Sequence, residues 1–371
     1  MEAFTGRQAG GIAYGYGYAV VAHSRRVVYF DDVSQRPGAV MNSTHGVNGH
    51  AQMYGDTNDK QFSHYEAGAD AFINLLYTFG PDGELTGAII NIPCPAQNSE
   101  ASHVLSASFW SEVRQAIRSQ HGDIHILAQS GAAGDLSPRI LHYQKAQERR
   151  FRLKYGTDPE PIAEYNSRRD IAERVANAFD EVLSWARKDI QTSFSVTHVV
   201  KTVQLDRRRI TPDEAELERT ELDELMQRDF QKEGTPAERL FHDSALLSAR
   251  ARCQQVLERF KLQDKEPSLP MELHVIRIGN IAFATNRFEL YMDYMHRIQA
   301  RSPFEQTFVI QLTGVPGPGG GSYLATERGA WGKGYSASRY CNLVSPKGGQ
   351  ELVDETVSIL NNVYGERDKS Q

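Results

Sequence analysis

The sequence predicts an α/β fold, a mixed sheet with flanking helices and a charged helical insertion. Three observations carry this prediction. Apolar runs of strand length recur in the first and last thirds of the chain, separated by amphipathic runs of helix length. Residues 141–265 are charged, poor in glycine and apolar every three to four residues, which is the helical period. Finally, Gln129-Ser130-Gly131-Ala132-Ala133-Gly134-Asp135-Leu136-Ser137-Pro138-Arg139 follows directly on the apolar run Ile124 to Ala128. Small residues therefore sit past the C-terminal end of a buried strand, where α/β proteins place ligands and chemistry.

Each element has its own signal. Met1 to Gly17 is rich in Gly and Tyr, shows no clean alternation, and reads as a loop or tail, as if the chain were a fragment or had an alternative start. The first strands are expected at Ala19–Ala22 and Val27–Phe30. Leu75–Phe79 and Leu85–Ile92 flank Gly80-Pro81-Asp82-Gly83, a hairpin turn in which Pro presets φ and Gly supplies a positive one. Ser106 to Ser119 is an amphipathic helix closed by Gly122.

Within 141–265, helices are expected over 162–190 and 238–262, with a strand from Phe194 to Leu205 between them. Thr211-Pro212-Asp213-Glu214 is a helix start, with Pro at the first helical position and acids in the first turn. The mixed charges read as solvated faces with i,i+4 pairing. The boundaries expected are therefore 1–140, an α/β part with the Gly-Asp-Leu-Ser-Pro loop, 141–265, the insertion, and 266–371, which completes the first part. In the last part, Met271–Ile278 and Ile281–Ala284 flank the two-residue turn Gly279-Asn280. A helix from about Phe288 to Ala300, a strand Thr307–Leu312, a Gly/Pro loop Gly314–Ser322 and a helix Gln350–Tyr364 complete the series.

Composition narrows the function classes. The chain has 371 residues, is 40% hydrophobic and 24% charged, and carries a net charge of −6, which argues against a nucleic-acid partner. No run reaches the roughly 18 apolar residues that span a bilayer, and no signal peptide is visible. Cys94, Cys253 and Cys341 are too far apart to suggest a disulfide framework. No P-loop, H-E-x-x-H helix or G-x-S-x-G elbow is present.

The Gly131–Ser137 loop is the leading candidate for chemistry. Its glycines permit positive φ and exposed N–H groups, and an acid and a hydroxyl follow at once. A tight turn with a capping Asp135 explains Gly134-Asp135 equally well. A second candidate is the polar stretch Met41 to Glu66, where His45, His50 and His64 with Asp56, Asp59 and Glu66 could hold a metal or a polar substrate. The other reading of that stretch is a surface loop.

Three segments together resemble the neutral/alkaline, non-lysosomal ceramidases. Gly134-Asp135-Leu136-Ser137-Pro138 is similar to that family's G-D-[VL]-S-P segment. Ala284-Thr285-Asn286-Arg287-Phe288-Glu289, before a helix with Arg297 and Arg301, is similar to the segment whose glutamate binds zinc. Tyr323-Leu324-Ala325-Thr326-Glu327, followed by Gly334-Tyr335, is similar to the Y-V-x-T segment, a region that supplies a tyrosine ligand. Order and spacing agree over roughly Gly11 to Tyr364.

The resemblance implies a zinc-dependent hydrolase of an amide or ester bond, acting on a small-molecule or lipid-like amide. Glu289 and Tyr323 would be metal ligands, with Cys94 standing where the family has a histidine. Ser137 and Asp135 would be catalytic, and Gly131, Gly134, Arg139 and Tyr335 would contact substrate. The departures are specific. The second family histidine, in a T-H-[TS]-H segment, has no convincing counterpart; Asn42-Ser43-Thr44-His45-Gly46 has Thr-His in another context. The family's immunoglobulin-like C-terminal domain has no matching run of strands. With two nitrogen ligands missing, zinc is expected to bind weakly or not at all. Plain structural readings stand beside each role: Glu289 as a helix cap, Cys94 as inert packing, Tyr323 and Tyr335 as loop anchors. Two functions follow, a metal-assisted hydrolase or a non-catalytic binding protein on the same fold.

Overall fold

Two mixed four-stranded sheets, built on one pattern, carry the fold. The structure is a computed structural model that describes residues 5–39, 49–100, 104–160, 162, 164–314 and 322–365. In the first sheet, β1 (Gly11–Tyr18), β6 (Phe72–Phe79) and β7 (Leu85–Ile92) run antiparallel, and β8 (His125–Ser130) joins β7 in parallel. In the second, β10 (Val196–Asp206), β11 (Ser268–Ile278) and β12 (Ile281–Thr285) run antiparallel, and β14 (Gln306–Ile310) joins β12 in parallel. Each parallel strand is reached through a crossover helix: α1 (Phe109–His121) before β8, α6 (Met292–Arg301) before β14. A parallel neighbour requires such a crossover. The expected mixed sheet with flanking helices is thus realised twice.

The sheets meet face to face through Ile12 and Leu76 on one side and Ile281, Phe283 and Phe308 on the other. Helix α3 (Tyr165–Ala186) covers the outer face of the first sheet beside α1, and α7 (Pro346–Gly365) covers the second beside α6. Residues 141–265 are shared between these layers. They supply α2 (Gln144–Tyr155), α3, strand β10 of the second sheet, and a hairpin of α4 (Pro212–Met226) on α5 (Pro236–Leu262). Both hairpin helices open on a Thr-Pro capping box, Thr211 with Glu214 and Thr235 with Glu238.

The Gly/Tyr-rich lead-in is the clearest correction. Gly11–Tyr18 is not a loop but the edge strand β1, paired along its length with β6. Its glycines serve helix packing: a Cβ on Gly15 would sit 2.2 Å from the Trp185 ring, and one on Gly17 2.9 Å from Val182. Conversely, Ala19–Ala22, expected as a strand, is irregular, and pairing resumes at β2 (His23–Ser24) and β3 (Arg26–Tyr29). Strand β3 lies between β4 (Ala51–Met53) and β5 (Phe62–Tyr65). The helix expected from Phe288 begins only at Met292, because Glu289–Leu290 forms a short strand, β13. Most of the Gly314–Ser322 loop and the Asn42–Gly46 segment with His45 lie outside the described residues.

Candidate functional site

Two short strand pairings assemble the site. Strand β13 runs parallel to β15 (Tyr323–Leu324), which puts Glu289 opposite Tyr323. The Glu289 N–H donates to Ser322 O at 2.9 Å and the Tyr323 N–H to Cys341 O at 2.9 Å, so both backbones are fixed. Strand β2 pairs with β9 (Leu136–Ser137), which brings His23 opposite Ser137 and leaves Arg25 beside the Gly-Asp-Leu-Ser-Pro loop. The Arg25 N–H donates to Asp135 O at 3.0 Å.

The Arg25 side chain then enters the interior, 0% exposed. Its Nη2 donates to Gly134 O at 2.8 Å and to the Tyr323 hydroxyl at 3.0 Å, and lies 3.6 Å from Glu289 Oε2. Its Nη1 donates to Gln97 Oε1 at 3.1 Å. Tyr335 packs edge-on against Tyr323, ring centroids 6.0 Å apart. Glu289, Tyr323, Tyr335 and Gly134 thus lie around a guanidinium that was not among the candidate residues. The signal was available: Arg25-Arg26 is a charged pair inside an apolar run, and buried charges require partners. Arg26 is also buried and takes the opposite side, pairing with Glu66 at 2.8 Å and donating to Ser336 Oγ at 3.1 Å.

Protonation follows from burial. Burial raises the Glu289 carboxyl above its ordinary value, partly offset by its hydrogen bond with Tyr323 and by the Arg25 charge. Burial also pushes the Tyr323 phenol well up, and Tyr335 up to about 12. The Cys94 thiol is fully enclosed and shifted upward by burial; it donates to Pro95 O at 3.5 Å and Val21 O at 3.7 Å. It is held as a thiol rather than a thiolate.

The Gly-Asp-Leu-Ser-Pro loop acts as a clasp. Gly131 N–H donates to Ile92 O and Gly134 N–H to Leu290 O, both at 2.8 Å, and Ala133 N–H donates to Gln311 Oε1 at 3.0 Å. These donors are committed internally, contrary to the expectation that the loop presents them to substrate. Neither glycine has a positive φ. Gly134 is required by proximity instead, since a Cβ there would lie 2.3 Å from Glu289 O. Asp135 does not orient Ser137: its Oδ1 accepts from Met292 N–H at 3.0 Å, capping α6 from a distant part of the chain. Burial pushes this carboxyl up to about 6. Ser137 Oγ accepts from Arg139 N–H at 3.2 Å and from the Tyr54 hydroxyl at 3.4 Å, and Arg139 pairs with Glu164 at 3.1 Å.

The polar stretch before Glu66 has structural partners. His50 stacks on Trp331 with centroids 4.6 Å apart, His64 Nδ1 lies 2.9 Å from Ser63 Oγ, Asp56 caps Asn58 N–H at 2.8 Å, and Asp59 pairs with Arg36.

The donor set around Glu289 and Tyr323 does not fit zinc. A metal held by both would have to displace a fully buried guanidinium from three hydrogen bonds, and the Cys94 thiol is turned to the carbonyls of Val21 and Pro95. Among the described residues, the metal-ligating atoms of Glu218, Glu221 and Cys253 lie within 4.8 Å of one another, on the α4–α5 hairpin; Glu218 is already paired with Arg339.

No family model matches the chain, and no curated protein matches it. Solved structures do. The chain is similar to the neutral ceramidase from Pseudomonas aeruginosa, with a TM-score of 0.54 and 15% identity, covering 96% of this chain and 53% of that one. It is similar to a ceramidase complexed with C2, with a TM-score of 0.54 and 12% identity, covering 97% and 54%. The fold is ceramidase-like. The chain spans about half the length of these ceramidases.

Proposed function

We propose that this chain is a non-catalytic binding protein on a ceramidase-like fold, with the Arg25 guanidinium set between Glu289 and Tyr323, the residues that would hold a metal by the resemblance. The observation that carries this reading is the placement of Arg25, 3.0 Å from the Tyr323 hydroxyl and 3.6 Å from Glu289 with no solvent exposure. A permanent cation supplies the charge that the acid needs, and its Coulomb repulsion excludes a second cation. The remaining candidates are engaged. Asp135 caps a helix, the Cys94 thiol is turned to the carbonyls of Val21 and Pro95, and Ser137 Oγ accepts from a phenol and a backbone N–H, with no partner placed to take its proton. The ligand is a small-molecule or lipid-like amide whose polar group meets the partly open Glu289 carboxylate and Tyr335.

A second reading, an amide or ester hydrolase of the ceramidase type, is favoured by the convergence of Glu289, Tyr323, Tyr335 and Gly134 and by the raised pKa of Glu289. One experiment separates the two: dialysis against zinc and then a mild chelator, followed by elemental analysis and assays on N-acyl amide and ester substrates, for the natural protein and Glu289→Gln. The binding-protein reading expects no retained stoichiometric zinc and no turnover. Turnover lost in Glu289→Gln restores the hydrolase, and retained zinc lost in that variant overturns the role given to Arg25.

A further inference from the structure

We propose that helix α2 and the tyrosine-rich surface beside it form a docking face for an anionic lipid bilayer. Helix Gln144–Tyr155 carries Lys145, Arg149, Arg150, Arg152 and Lys154 against the single acid Glu148, in a chain of net charge −6. None of its residues is buried. Helices in proteins draw most of their stability from packing an apolar face, and this one packs little. Its cations divide into two sets. Arg150 and Lys154 turn inward to Asp170, at 2.8 and 3.4 Å, and Lys154 also meets Glu173. Lys145, Arg149 and Arg152 make no ion pair among the described residues and are exposed.

The acids nearby are committed elsewhere. Asp158 accepts from the N–H groups of Glu164 and Asn166 at 3.1 and 2.8 Å, and Glu164 pairs with Arg139. On the helix itself five cations face one acid, so the balance there is positive.

Apolar exposure on the same face is the second, independent observation. Tyr143 is 64% and Leu153 66% exposed. Across an open cleft of about 690 Å³ lie Tyr18, 66% exposed, and Val20. Tyr18 continues into an exposed aromatic cluster with Tyr16 and Phe72, centroids 5.3 to 5.8 Å apart. Basic residues interleaved with tyrosines and aliphatic side chains match the layering of a bilayer surface, where phosphate groups overlie acyl chains. Nucleic acid would satisfy the cations and could stack on the aromatic rings, but it would gain nothing from the aliphatic Leu153 and Val20. The inference rests on α2 and its surroundings and is independent of the Arg25 site.

The test is co-sedimentation of the full chain with phosphatidylcholine vesicles, with and without phosphatidylserine, over a range of salt. Binding is expected only with phosphatidylserine and is expected to weaken as salt rises. The triple variant Lys145→Glu, Arg149→Glu, Arg152→Glu should lose affinity by at least about a hundredfold, from about a fivefold contribution per cation near such a surface. Its thermal midpoint should stay at the parent value, because these side chains bury nothing. Leu153→Ser with Tyr143→Ser should weaken binding without changing its salt dependence. Absence of binding at low salt, equal binding to neutral vesicles, an unaffected triple variant, or tighter binding to a single-stranded oligonucleotide would each overturn the proposal.

Discussion

Arg25 donates from Nη2 to the Tyr323 hydroxyl at 3.0 Å, across 298 positions of sequence. That bond, with the 3.6 Å approach to Glu289, ties β2, the clasp loop, β13 and β15 into one unit. Arg25 is fully buried while Glu289 is partly open, so removing the guanidinium leaves the Tyr323 hydroxyl and Gly134 O short of a partner at a cost of about 1–3 kcal/mol. Arg25→Ala should lose stability of this order in a urea titration. Arg25→Lys should recover only part of it, because an ammonium cannot match the fork that reaches Gly134 O, Tyr323 and Gln97 together. A variant as stable as the parent would show that this cluster contributes little.

Asp135 makes stability depend on pH. Its folded carboxyl is raised to about 6 from 3.8, so the folded state holds a proton that the unfolded chain releases. The sign is that of a raised acid: its contribution is greatest below pH 3.8 and declines as pH rises to about 6, by roughly 3 kcal/mol. Asp135→Asn keeps an acceptor for Met292 N–H and removes the titrating proton. Urea midpoints from pH 4 to pH 7 should lose this slope in the variant; an unchanged slope would assign it to another group.

Gly134 tolerates no side chain without movement. A Cβ would lie 2.3 Å from Glu289 O, against 3.2 Å for the nearest atom at Gly131, so Gly134→Ala should be the more damaging change. Crowding of this kind costs about 1–3 kcal/mol. Thermal midpoints of the two alanine variants rank them; a reversed order would refute the clasp.

The three cysteines are buried, so a thiol reagent should label none in the native protein and all after unfolding. Rapid native labelling that maps to Cys94 would contradict the enclosed, protonated thiol placed beside Val21 and Pro95.

Which residues sit near one another was partly legible in the chain; what each of them does was not. Motif order marked Glu289, Tyr323, Tyr335 and the Gly131–Ser137 loop, and the structure brings the first three and Gly134 together. The roles within the loop were not legible. Whether Asp135 orients Ser137 or caps a helix depends on where Met292 lies, 157 positions away. Strand β1 was missed because its glycines looked like turn residues, whereas they admit Trp185 and Val182. Arg25 drew no notice because two adjacent arginines carry no motif.

The α/β class, both hairpins and the helical period of 141–265 can be read from the chain, since these depend on neighbours within a few residues. Tertiary structure alone decided that the sheets are two and stacked, that the loop donors are spent on backbone, and that a guanidinium lies between Glu289 and Tyr323. Those outcomes rest on contacts between distant segments, where burial forces each charge to find a partner and local pattern does not specify which one it finds.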